Sequence, residues 1–128
     1  MEKEVIYNSD LYFEHKQWRR ELFFWEDELK SFKNRLNEIA NRWTDKNVLA
    51  ELEHFQNQFI NQAEVIDKMQ HDINVHENKI VENTKEGEDI LDLNLSRKHI
   101  EFRNSMETQR HIYGDLKKEF FRFLSKYL

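Results

Sequence analysis

From Leu11 onward one set of positions recurs at alternating steps of four and three: Leu11, His15, Trp18, Leu22, Trp25, Leu29, Phe32, Leu36, Ile39 and Trp43. All but His15 are apolar, and the residues between them are mostly Lys, Glu, Asn, Arg and Asp. That is the a/d seam of a helix packed along its length against others at a shallow crossing angle. It predicts a first helix over about 9–43, with Ser9 as its N-cap. A second seam runs through Val48, Leu52, Phe55, Phe59, Gln62, Ile66, Met69, Ile73, His76 and Ile80, predicting a helix over about 45–83 capped by Thr44 or Asp45. The third runs through Leu95, His99, Phe102, Met106, Gln109, Tyr113, Leu116, Phe120, Phe123 and Tyr127, predicting a helix over about 94–127.

Each seam covers roughly 48 Å of helix at 1.5 Å per residue, and rods of equal length pack flush. The link after Trp43 is only a few residues, which forces the first two helices antiparallel. Residues 84–93 form the longer connection, rich in carboxylates (Glu86, Glu88, Asp89, Asp92) and holding Gly87. The expected fold is all-α: one domain over 1–128, three long antiparallel helices in an up-down-up, left-handed bundle. The absence of Pro, with only Gly87 and Gly114 as glycines, agrees with long uninterrupted helices.

Aligning the helix ends fixes which residues share a layer. Trp43 beside Val48 places Phe32 by Phe59 and His15 by His76; Val48 beside Tyr127 places Phe55 by Phe120 and His76 by His99. The three seam histidines, one per helix, therefore fall on a single layer although no polar residue was used to set the register. Three inward imidazoles can converge on one ion, with nitrogen–zinc distances of ~2.0–2.1 Å; copper and nickel also accept imidazole. His15, His76 and His99 are thus candidate ligands of zinc or another imidazole-binding divalent metal. Glu14 and Asp72 are candidate carboxylates for orienting the rings, a carboxylate of the 84–93 segment is a candidate fourth ligand, and Trp18, Ile73 and Phe102 would form a dry floor. The competing reading is a structural polar layer that penalises slipped packings, or a proton-sensitive one, since close imidazoles resist being charged together.

Other polar seam positions form a second feature. Gln62 shares a layer with Leu29 and Tyr113, and the next layer holds Trp25, Ile66 and Gln109, so Trp25, Gln62, Gln109 and Tyr113 are expected to join in one buried network. His54, His71 and His111 fall on outward positions. So do Phe13, Phe23 and Phe24, with Tyr12 flanking the seam. Adjacent outer aromatics are expensive to leave in water; cover by Val5, Ile6 and Tyr7 or by Ile90, Leu91 and Leu93, a homodimer face, or a helical protein partner would each relieve the cost.

Composition narrows the function classes. Thirty-five per cent of residues are charged, 38% are hydrophobic and 13% aromatic, ten of them Phe, which is too aromatic for a disordered tail and too polar for a membrane span. The net charge of −5, of mixed sign, excludes nucleic acid as an expected partner. Without Cys there are no disulfides, thiolate nucleophiles or Cys-based zinc sites, and the N-terminus lacks the form of an export signal, so a cytoplasmic location is expected. Glu51 and His54 supply one Glu-x-x-His motif of the pair that a di-iron carboxylate bundle needs, and nothing supplies the second. No phosphate loop or nucleophile motif is present, so no enzyme is expected. Two functions remain: an interaction or scaffold module that self-associates through its outer aromatic face, and a small metal-binding protein with a three-histidine site.

Overall fold

A computed structural model describes residues 7–85 and 93–128. Three helices account for nearly all of them: α1 (Asn8–Arg42), α2 (Lys46–Lys85) and α3 (Leu93–Tyr127). Their bounds lie within two residues of those the periodicity predicts. Residues 86–92, and with them Glu86, Gly87, Glu88, Asp89, Ile90, Leu91 and Asp92, lie outside the described residues, as do Val5 and Ile6. No helix among the described residues is long and apolar enough to cross a membrane.

The helices run up, down and up. Ring contacts join α1 to α2 in antiparallel order, His15 with His76 at one end and Phe32 with Phe59 further along. Contacts of α2 with α3 run antiparallel too, His76 with His99 and Phe55 with Phe120 and Phe123. The pairing of rows is that expected from flush ends. Among the described residues, every buried side chain belongs to one of the three seams, with the single exception of Ser96. Trp43, Leu95, Phe102 and Tyr127 are the seam members that stay partly exposed, all of them at or near helix ends except Phe102.

Local chemistry sets two of the helix ends. Asp45, not Thr44, caps α2: its Oδ1 accepts from the backbone N–H of Asn47 at 2.8 Å and of Val48 at 3.2 Å, satisfying two of the orphan donors of the first turn. Ser9 does not cap α1. The helix begins earlier, with Tyr7 in the cap position and no side-chain hydrogen bond there, which puts Ser9 inside the first turn. Trp43 leaves the helix in extended conformation at the C-terminus of α1. Its indole N–H donates to the Tyr127 carbonyl at 2.8 Å, and its ring packs edge-on against Tyr127, clamping the end of α1 to the end of α3.

A row of ion pairs joins the parallel helices α1 and α3. Glu14 pairs with Arg103, Glu21 with Arg110 and Glu28 with Lys117. Each side of the row steps by seven residues, the g-to-e pattern of a parallel coiled coil. These pairs are part-exposed, where an ion pair contributes only ~0.2–1 kcal/mol. Burial of the seams therefore supplies most of the stability, since one fully buried Leu or Phe contributes ~1.5–3 kcal/mol. The row instead favours positions of α3 along α1 that differ by whole heptads, and most of all the one that forms all three pairs. Its signal, acidic residues at 14, 21 and 28 against basic ones at 103, 110 and 117, is present in the sequence.

Candidate metal centre

The apolar core is broken near one end of the bundle. The main cluster extends from Val48, Leu36 and Phe123 up to Trp18, Ile73 and Met106. A small second cluster, Leu11 and Ile80 with Tyr12, Leu95 and Ile100 packed on it, lies beyond. Between the two sits a layer made of His15 from α1, His76 from α2 and His99 from α3. His15 and His99 are fully buried and His76 nearly so. The ring centroids form an almost equilateral triangle, 5.4 Å between His15 and His76, 5.3 Å between His15 and His99, and 5.6 Å between His76 and His99. One nitrogen from each ring can be chosen such that all three lie within 4.8 Å of one another. Trp18 closes the floor, its ring 5.5 Å from that of His15, 4.9 Å from that of His99 and 5.0 Å from that of Phe102.

Two carboxylates address the layer from outside. Glu14 Oε1 lies 3.0 Å from His99 Nε2, while Arg103 donates to both Glu14 oxygens, from Nε at 2.9 Å and from Nη2 at 2.6 Å. Burial alone would raise the Glu14 pKa, but the hydrogen bonds from Arg103 and His99 outweigh it and hold the carboxyl below its ordinary value. Glu77 mirrors this arrangement across the α1/α2 seam. It is bound by Arg19, which also donates to Asn74 at 3.0 Å. That Arg19 hydrogen bond holds Glu77 below the usual carboxylate range in spite of burial. Its Oε1 is 3.7 Å from His15 Nδ1, close enough for attraction but too long for a hydrogen bond.

Among the described residues, both ring nitrogens of His15, and both of His76, are buried without a hydrogen-bond partner. An unpaired buried polar atom costs ~1–3 kcal/mol, so this layer is expensive as it stands. The rings also resist protonation. Burial, followed by repulsion from His99 and His76, pushes the His15 pKa down to about 4. Burial, His99, Lys98 and Lys79 push that of His76 down to about 4 as well. Both imidazoles are therefore neutral at neutral pH with a lone pair available, which is the form that binds a metal.

The remaining expectations divide. Asp72 is exposed on α2 and makes no hydrogen bond to His76, whose nitrogens have none among the described residues; the second carboxylate near the layer is instead Glu77, 3.7 Å from His15. A four-membered polar network does not form. Gln109 donates to Gln62 in the core, but the Tyr113 hydroxyl donates to Glu28 at 2.6 Å, and Trp25 contributes a ring contact to Tyr113 at 5.1 Å. Burial and the Glu28 carboxylate raise the Tyr113 pKa, keeping the phenol protonated. A carboxylate on the next turn of α1 thus outcompetes an uncharged amide for the hydroxyl, as charge-assisted hydrogen bonds are the stronger. His54, His71 and His111 are exposed, as expected. Tyr12 is half-buried against the small cluster, whereas Phe13, Phe23 and Phe24 stay 58–68% exposed. Lys117 Nζ stands 5.8 Å from the Phe24 ring and 5.7 Å from that of Phe121.

No family model, no curated protein and no solved structure matches the chain. The chemistry of the residues themselves is what bears on function.

The pH dependence of stability follows from the two lowered histidine pKa values. An unfolded histidine titrates near 6.5 and these two near 4 in the fold, so the unfolded chain binds more protons throughout that interval and acid favours it. Stability of the metal-free protein is expected to be flat above about pH 7 and to fall steadily between pH 6.5 and 4, by the order of 2 kcal/mol per ring at pH 5. Denaturant midpoints measured across this range check the sign; a midpoint that holds steady down to pH 4.5 contradicts it.

Proposed function

We propose that this protein is a small metal-binding helical bundle whose centre is His15, His76 and His99, holding one zinc-type divalent ion. The observation that carries the reading is the buried imidazole triangle with ring nitrogens gathered within 4.8 Å while, among the described residues, those of His15 and His76 have no hydrogen-bond partner. Nitrogens sharing one ion at ~2.0–2.1 Å stand ~3.3–3.5 Å apart, so the rings need draw together by no more than roughly 1.5 Å. With Nε2 of His99 engaged by Glu14, its coordinating atom is Nδ1, and Glu14–His99–metal forms the carboxylate–histidine–metal relay that fixes a tautomer and strengthens the ligand. Glu77, 3.7 Å from His15 Nδ1, would do the same for His15 once drawn closer by under ~1 Å. The donor set is all nitrogen, which suits zinc, copper or nickel and not magnesium or calcium. The reading is one of binding, with the cytoplasm as its expected compartment.

A second reading rests on a separate observation. Three phenyl rings of α1 face outward, and Phe23 is the most exposed large hydrophobic residue of those described. We infer a self-association face there, in keeping with the cost of leaving such rings in water. Sedimentation at micromolar concentration is expected to give a dimer that Phe23→Glu returns to monomer; a monomer at every concentration contradicts it.

Zinc titration into metal-stripped protein tests the main proposal. One equivalent is expected to bind with Kd of about 1 μM or tighter and to raise the thermal midpoint, by about 2.7 kcal/mol of stabilisation at a hundredfold excess over Kd. His99→Ala is expected to lose at least about 100-fold in affinity, while joint replacement of the exposed His54, His71 and His111 by Ala leaves it unchanged. Binding no tighter than millimolar, or equal loss from the surface variant, overturns the reading.

A further inference from the structure

The imidazole layer has three edges, one at each helix–helix seam, and they are not alike. The α1/α3 edge is spanned by Glu14 with Arg103, and the α1/α2 edge by Glu77 with Arg19. Among the described residues the α2/α3 edge carries no such pair. The two g positions that flank it are Lys79, one turn beyond His76, and Lys98, immediately before His99. Both lysines are exposed, and both act on His76 with the same sign of charge. Here the surface opens into a cleft of about 350 Å³ between α2 and α3 whose lining includes His76, Lys79, Lys98 and Lys68. Asp72 and Glu101 line it too, leaving one net positive charge among these groups.

The charge of a filled centre is incomplete. Three neutral imidazoles bring no negative charge to a divalent ion, and Glu14 and Glu77 are each already neutralised by an arginine. An ion held between Trp18 and Ile73 on one side and Leu11 and Ile80 on the other would retain two positive charges in apolar surroundings, which is costly unless a counter-charge is bound. Three protein nitrogens also leave a fourth position of a tetrahedral ion to be filled. Successive seam layers are only ~5 Å apart, so the filler is a few atoms in size, and among the described residues the α2/α3 edge presents a positively charged opening to it.

We propose that a small monovalent anion, such as hydroxide, a halide or a pseudohalide, reaches the fourth coordination position through the α2/α3 cleft, drawn by Lys79 and Lys98. The proposal rests on the metal reading above and deepens it. It distinguishes the site from a closed structural centre, in which the fourth donor comes from the chain itself.

Cobalt(II) in the full chain reports both steps, because its visible ligand-field bands respond first to metal uptake and then to exchange of the fourth ligand. Azide added to the cobalt-loaded protein is expected to shift these bands saturably at millimolar concentration or below. Lys79→Glu with Lys98→Glu is expected to weaken azide by about tenfold or more while cobalt affinity is kept or improved. The same reversal at Lys33, roughly 27 Å further along α1, is expected to change neither. Absence of cobalt uptake, read before azide is added, overturns the metal reading and this one with it. Cobalt uptake with bands indifferent to azide overturns this proposal alone, as does azide affinity unmoved by the double reversal.

Discussion

The lengthwise register of three helices is the constraint on which everything else in this protein depends. A slide of one heptad along α3 would bring Met106 or residue 92, instead of His99, to the level of His15 and His76, moving an imidazole by ~10 Å. Burial of apolar seams is a poor guard against such a slide, since the seam repeats and one Phe layer resembles another. The Glu14–Arg103, Glu21–Arg110 and Glu28–Lys117 row is only a partial guard, because it also repeats every seven residues and a shifted row still forms two of its three pairs. Features that do not repeat have to decide. They are the Trp43–Tyr127 clamp at one end, the Asp45 cap that fixes where α2 begins, and the histidine layer near the other end.

Much of this was legible in the sequence because a heptad is a physical period and not a statistical tendency. The a/d steps identified the buried set, the tight connection around Thr44 and Asp45 aligned the first two helices, and equal helix lengths packed flush aligned the third. The histidine layer followed from alignment alone. What escaped were choices made by side chains within a layer or at its rim. Asp72 precedes His76 by one turn, but it projects from the α2/α3 side, whereas the acceptor near His15 had to come from the α1/α2 side, where Glu77 lies. Tyr113 was expected to bond within the core and instead reaches outward to Glu28, since a part-exposed carboxylate is a better acceptor than an amide and keeps its own contact with Lys117. Ser9 has the chemistry of a cap, but α1 begins two residues earlier, with Tyr7 in the cap position, so that chemistry goes unused. The row of ion pairs between α1 and α3 was readable by the same seven-residue count, applied to charge in place of hydrophobicity.

The layer divides the core into unequal parts, and the division gives the site its character. Below it Trp18, Ile73 and Met106 lead into a continuous aromatic interior; above it Leu11, Ile80 and Leu95 make a thin lid. His15 and His76 are kept neutral in such a place by burial and by neighbouring positive charge, and among the described residues neither has a hydrogen-bond partner to offset the loss of water. A fold that needed only a polar marker for register could have used a self-satisfying amide pair, as it does at Gln62 and Gln109. Three imidazoles with carboxylates behind two of them are instead the arrangement that a soft-to-borderline cation rewards.

X-ray absorption at the zinc edge of the zinc-loaded protein addresses the central claim most directly, since it counts the atoms around the ion. The account predicts a four-coordinate first shell of nitrogen and oxygen at ~2.0–2.1 Å, with outer-shell scattering from three imidazoles. A shell dominated by carboxylate oxygen, or scattering from no more than one imidazole, would place the ion among surface groups and contradict the convergence of His15, His76 and His99.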